Sequence, residues 1–138
     1  MRRFVVSGLS MSPALSPGDR FLTRRLRHPR RGQVVLFRHP GRPDFWLIKR
    51  VVGLPEETMT ISAGQVLVNG VELAEPWAIG ATAPDGTWDI GPGMVFVLSD
   101  ARHRTLADSR TFGPIPIETA KLAFVRYWRG EEPETEDR

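Results

Sequence analysis

Apolar and polar residues along this chain change places over short runs, never over the length that a long helix needs. Gln33 to Arg38, Phe45 to Val52, Thr58 to Ser62, Gln65 to Asn69, Met94 to Leu98 and Leu122 to Trp128 are rich in Val, Ile and aromatic side chains and are separated by Gly, Pro and Asp. Such runs read as strands joined by turns. The stretch from Thr58 to Gly70 reads as a hairpin closed at Ala63-Gly64. Only Ile117 to Ala123 has the pattern of a helical turn or so, and 13 Gly and 12 Pro leave little room for more. The predicted fold is mostly β, with antiparallel coiled sheets that are partly barrel-like.

Size and composition narrow the function classes. With 138 residues and 41% apolar content, the chain is expected to form one domain with a real core. That domain is placed at residues 1–130, and the acidic stretch 131–138 (Glu131-Glu132-Pro133-Glu134-Thr135-Glu136-Asp137-Arg138) reads as a disordered tail. There is no cysteine, which removes disulfides, thiolate metal sites and a cysteine nucleophile. His28, His39 and His103 lack the helical i, i+4 spacing of a metalloprotease pair and sit among Arg and Pro, so surface turns are predicted for them and neither a metal nor another cofactor. The opening Met1-Arg2-Arg3-Phe4-Val5-Val6 begins like a signal peptide, but its apolar run stops after three residues. No other apolar run approaches the ~20 residues that span a bilayer.

Net charge is +3, unevenly spread, with ten of the 19 basic residues falling by Arg42. The cluster from Arg24 to Arg31 is expected to be a solvated loop, with contact to anionic lipid as the alternative. It lacks interleaved aromatics and a recognition-helix pattern, so no nucleic-acid partner is predicted. Trp46, Trp77, Trp88 and Trp128 suit either core packing or, where exposed, the lipid headgroup region.

Seventeen of the basic residues are Arg and two are Lys, and one of the two, Lys49, lies inside the apolar run Phe45 to Val52. Burial disfavours an ammonium and lowers its pKa, whereas a guanidinium stays charged, so a lone buried lysine is a candidate general base. Its client is Ser10, held among small and rigid residues in Ser7-Gly8-Leu9-Ser10-Met11-Ser12-Pro13. A serine hydroxyl needs such a base to attack an amide. Each residue alone also fits a bland role, Lys49 snorkelling from a strand edge and Ser10 sitting in a turn.

Four segments, in order, resemble the type I signal peptidases, which are Ser-Lys serine peptidases. Ser10-Met11-Ser12-Pro13-Ala14-Leu15 with Gly18-Asp19 resembles the nucleophile box, and Gly32 to Arg38 the strand after it. Lys49-Arg50-Val51-Val52-Gly53-Leu54-Pro55 resembles the lysine box, with Val68-Asn69-Gly70 and Glu75-Pro76-Trp77 matching the stretch beyond. Ser99-Asp100-Ala101-Arg102 to Pro116 resembles the last box. Together they cover most of residues 7 to 116.

The resemblance implies a mostly β catalytic core, Ser10 as nucleophile, Lys49 as its base, and cleavage of signal peptides or leader segments after small residues of the Ala-x-Ala type. It assigns Met11 and Ile48 to the substrate groove, and Asp100, Arg50, Asp108 and Arg110 to a charged group bracing the sheet behind the site. Gly8 stands where some members place an assisting serine, which leaves the Ser10 amide as the oxyanion donor. The last box departs from the usual Gly-Asp-Asn-Arg and carries one extra residue before Asp108, so the hydroxyl that orients the lysine has Thr105 as its candidate. Ala14 replaces a common threonine. Most members also begin with one or two membrane helices and this sequence has none, which points to a cytoplasmic protein or, alternatively, one peripheral at the plasma membrane. Other readings are a protease dedicated to maturing one protein, such as nickel superoxide dismutase, and an inactive peptide-binding module. A self-cleaving repressor is disfavoured, since no DNA-binding segment precedes Ser10.

Overall fold

The computed structural model describes residues 1–130; the acidic stretch 131–138 lies outside the described residues. Two open antiparallel sheets make up the fold, and neither closes into a barrel. The larger has seven strands in the order β1 (Arg2–Val5), β2 (Arg20–Arg25), β11 (Lys121–Trp128), β3 (Val34–His39), β4 (Arg42–Gly53), β9 (Met94–Leu98) and β10 (Ile115–Pro116). The smaller runs β7 (Val71–Glu72), β6 (Gln65–Val68), β5 (Thr58–Ser62) and β8 (Gly86–Asp89). The helical content is a single turn, α1 (Ser109–Phe112), and a 3₁₀ turn at Ile117–Thr119.

Burial follows the pleat. Along β4 and β9 successive side chains enter different cores, as period-2 alternation requires. Val51, Val95 and Val97 join Leu26, Val35, Phe37 and Ile115 on one face, under Phe112 of α1. Val52, Phe96 and Leu98 meet Met59, Ile61, Val66 and Ile90 on the other, which is how the small sheet docks on the large one. Gly53 at the end of β4 permits that docking, because a Cβ there would lie 2.7 Å from Met59 Sδ and 2.9 Å from Phe96 Cβ. Farther along the large sheet, Ile48 and Phe21 are covered by Val6, Met11 and Leu15 from the segment after β1.

The strands at Thr58–Ser62 and Met94–Leu98 and the hairpin at Ala63-Gly64 lie where the sequence pattern puts them. Ala63 adopts φ 51° and Gly64 φ 82° in that two-residue turn, the left-handed pair such hairpins demand. Other segments differ. Arg24 and Arg25, expected in a solvated loop, complete β2 because β11 pairs with them, Leu122 opposite Arg24 and Lys121 opposite Arg25, while Phe21 and Thr23 alternate inward. The helical turn expected over Ile117 to Ala123 stops at Thr119, because Lys121 and Leu122 pair with β3 as well as β2. Strands β1, β7, β8 and β10 are too short or too polar to have stood out in the sequence.

Candidate active site

Lys49 lies in the middle of β4, paired with Val35 of β3, and is 2% exposed. Alternation turns it to the same face as Leu47 and Val51, while Ile48 and Arg50 turn to the other. Burial pushes its pKa from the ordinary 10.5 down to about 8. Asp108 and Asp100 oppose that shift and Arg110 adds to it. Its Nζ takes part in none of the ion pairs among the described residues.

Ser10 sits half-buried in the segment that follows β1. Backbone hydrogen bonds tighten that segment, from Ser12 N–H to the Leu9 carbonyl at 3.0 Å and from Leu15 N–H to the Met11 carbonyl at 2.9 Å. The buried Asp19 closes its far end, accepting the Ser16 N–H at 3.0 Å, the Gly130 N–H at 2.6 Å and Arg126 Nη1 at 3.1 Å. These partners hold its carboxyl below the ordinary carboxylate range although burial works the other way. A Cβ on Gly130 would run into the Pro17 carbonyl, so the end of β11 is fastened to the base of the Ser10 loop at a position only glycine fits. Gly8 has φ +85°, a conformation in which a residue with a side chain would be strained.

The segment from Ser99 to Arg110 ties these parts together. Its Ala101 N–H donates to the Ser10 carbonyl at 3.0 Å, and its Asp100 N–H points at Met11 Sδ at 3.4 Å. Asp100 receives Arg50 in a two-pronged pair, Nε to Oδ1 at 2.9 Å and Nη2 to Oδ2 at 2.7 Å. Such a planar fork is the geometry a guanidinium is suited to. The third arm of Arg50 reaches the Gly32 carbonyl at 2.8 Å. Asp108 caps α1, accepting the Arg110 N–H at 3.0 Å, takes the Arg110 guanidinium at 2.8 Å, and takes the Ser99 N–H at 3.0 Å. Arg110 in turn donates to the carbonyls of Ala83, Arg102 and Thr105. Past the β10 pairing at Met94 and Val95, then, side chains at the α1 turn replace a neighbouring strand: Ser109 Oγ accepts the Val97 N–H at 2.8 Å and Asp108 accepts that of Ser99.

Residues 99–110 thus touch Ser10 and Met11 through the Ala101 and Asp100 N–H groups, hold Arg50 in an ion pair, and bring the charges of Asp100, Asp108 and Arg110 to bear on Lys49. Met11 and Ile48 share a buried apolar cluster with Val6, Leu15 and Phe21. Thr105, the expected partner of the lysine, makes one side-chain hydrogen bond among the described residues. Its Oγ1 accepts the N–H of Ala107 at 2.9 Å within its own turn. Sequence reasoning also passed over Arg102, whose buried guanidinium pairs with Glu75 and donates to Thr82 Oγ1 at 2.6 Å and to the Ser99 carbonyl at 2.7 Å. Its place inside the last box was a usable signal. Among the described residues no group of three or more His, Asp or Glu is arranged to hold a metal ion.

A family model described as signal peptidase, peptidase S26, matches residues 1–128. The chain belongs to that family. It is 34% identical over 137 residues to a signal peptidase I of Leptolyngbya laminosa, covering 86% of this chain and 64% of that protein. It is 34% identical over 131 residues to signal peptidase I V of Bacillus subtilis (strain 168), covering 81% of this chain and 76% of that one. The chain thus spans a little under two thirds of the length of the first relative and about three quarters of the second. The crystal structure of a signal peptidase I from Enterococcus faecalis V583 is similar in fold, with TM-score 0.62 and 26% identity over 72% of this chain and 99% of that chain. The mostly β, antiparallel, open-sheet architecture is thus the signal peptidase I fold. No helix among the described residues is long and apolar enough to cross a membrane.

Proposed function

We propose that this chain is a serine endopeptidase that removes signal peptides or leader segments from preproteins, with Ser10 as nucleophile and Lys49 as general base. The observation that carries the reading is the convergence on residues 99–110. One stretch holds the Ser10 carbonyl by a backbone hydrogen bond and surrounds the buried Lys49 with the charges that tune it. At a pKa of about 8 an appreciable fraction of Lys49 is neutral near pH 7–8, which a general base requires.

In the first step neutral Lys49 accepts the Ser10 proton as Oγ attacks the scissile carbonyl. The ammonium then gives that proton to the departing amine as the C–N bond breaks, leaving an ester on Ser10. A water repeats the sequence and releases the carboxylate. The Ser10 N–H has no backbone acceptor among the described residues and is the donor proposed for the oxyanion. Asp100–Arg50 and Asp108–Arg110 keep the segment in register. Arginine does not act as a base, so their role is positional.

The substrate is expected to lie as an added strand beside the Ser10 and Lys49 segments, presenting alternate side chains to the groove. Met11 and Ile48, 1% and 6% exposed, make a groove floor already filled by its own core, so small residues before the cut fit best. Peripheral contact with an anionic membrane is part of the same reading. Val5 and Trp128 face Arg20 from either side in the register, and Val5, Trp128, Tyr127 and Phe45 are all more than 40% exposed. Exposed aromatics with arginines suit the headgroup region of anionic lipid.

The deciding experiment incubates the purified chain with a panel of preproteins and reads the cut sites by mass spectrometry. Cleavage after Ala-x-Ala-like sequences that disappears in Ser10→Ala is the expected result. Absence of cleavage across the panel, or persistence of the cuts in Ser10→Ala, overturns the reading. Cleavage of a single substrate only would mark a dedicated maturation protease.

A further inference from the structure

Across the β4–β9 ladder Arg50 faces Leu98 and Val51 faces Val97. The same register carried one residue further sets Ser99 opposite Lys49. Directly opposed residues of an antiparallel pair point to the same face with Cβ atoms about 4.5–5.5 Å apart. The face here is the one that Val51 and Val97 turn into the core. Ser99 is wholly buried. Its N–H is given to Asp108 Oδ2 and its carbonyl to Arg102 Nε, yet its Oγ is the one enclosed side-chain polar atom without a hydrogen-bond partner among the described residues. An enclosed hydroxyl left unpaired is costly and asks for an explanation in the chemistry beside it. The polar group that the register sets beside it is the Lys49 amine.

We propose that Ser99 is a positioning residue: its Oγ accepts an N–H of the Lys49 amine and so turns the nitrogen lone pair toward the Ser10 hydroxyl. The inference rests on Lys49 being the base. It also accounts for two departures in the last box. The extra residue before Asp108 puts Thr105 in a turn of its own, where its oxygen already accepts the Ala107 N–H. Meanwhile a serine stands at the head of the box, where glycine is usual, and restores a hydroxyl from the opposite end. Asp108 fixes Ser99 from the backbone side and contributes to the field at Lys49, so the two ends of the segment hold the pair in place together.

Ser99→Ala and Thr105→Ala separate the candidates. For Ser99→Ala, kcat on a cleaved preprotein is expected to fall roughly 10- to 100-fold, the scale of a mis-set general base. KM should hold, and thermal stability should fall only modestly, because one buried acceptor is lost and the packing around it is kept. Thr105→Ala should stay within about twofold of the wild type in kcat, since its hydroxyl serves its own turn. A second readout does not depend on turnover. With only two lysines in the sequence, protein labelled with ¹³C-lysine gives two Cε signals, and the titration midpoint of Lys49 should move to lower pH in Ser99→Ala, because an acceptor that favours the ammonium has gone. Unchanged kcat in Ser99→Ala, or an unmoved Lys49 titration, overturns the proposal. A moved titration in a protein that cleaves no preprotein keeps the Ser99–Lys49 contact and removes the peptidase reading instead.

Discussion

Lys49→Met tests the electrostatic core of the site through stability alone. The side chains are similar in length, so packing in the Val35–Val51 neighbourhood is kept and the ammonium is removed. The pKa of Lys49 falls from 10.5 to about 8 on folding, and at about 1.36 kcal/mol per unit this corresponds to about 3 kcal/mol. The sign follows from proton linkage. The folded value is depressed, so the folded protein binds the proton less tightly than the unfolded chain, and the penalty is fully present below pH 8. It fades as pH rises from about 8 toward 10.5, above which both states are neutral. At pH 7 the Met variant is therefore expected to be more stable by roughly 1–3 kcal/mol, or about 4–10 °C in Tm for a chain of this size. The gap should narrow steadily above pH 8 while the variant cleaves nothing. Thermal unfolding followed by circular dichroism at pH 7, 8.5 and 10 reads it directly. Equal stability at pH 7, or a gap that does not close as pH rises, would refute the claim that burial is what depresses the lysine.

Lys49→Arg should lose nearly all activity in the preprotein assay, because arginine keeps the charge but releases no proton; substantial turnover would rule out the Ser-Lys mechanism. The acid limb of kcat/KM against pH should report a group titrating near 8, and an acid limb near pH 4 would assign the base to a carboxylate instead. Asp108→Asn leaves Arg110, 1% exposed at its side chain, without its charge partner and should cost about 3–5 kcal/mol in denaturant unfolding. The chain's own Ala81-Thr82-Ala83 should survive prolonged incubation, since Pro84 follows it, Thr82 is buried and the Ala83 carbonyl is held by Arg110; an autolytic cut after Ala83, detected by mass spectrometry, would contradict this. Flotation with anionic vesicles at low salt, weakened at moderate salt, is expected from the Val5–Trp128 face and its arginines.

The sequence by itself determined the strands whose apolar alternation is strong enough to read locally, such as Thr58–Ser62 and Met94–Leu98, and the hairpin whose turn needs two left-handed residues. It also singled out Ser10 and Lys49, because a serine among rigid residues and a lone lysine in an apolar run are chemical anomalies visible without coordinates. Tertiary structure decided what depends on partners distant in the chain. Arg24 and Arg25 look like loop residues until Leu122 and Lys121 of β11 pair with them, and Lys121 leaves its helical pattern only because β2 and β3 pair with it. Which carboxylate answers which arginine was equally hidden, since Arg50 and Asp100 lie fifty residues apart. Ser99 shows the limit most plainly: in sequence it is one small residue beside an aspartate, and only the β4–β9 register sets it across from Lys49 with its hydroxyl unpaired. Local pattern records what a residue prefers, whereas register, burial and unmet hydrogen bonds are properties of pairs that only the folded chain brings together.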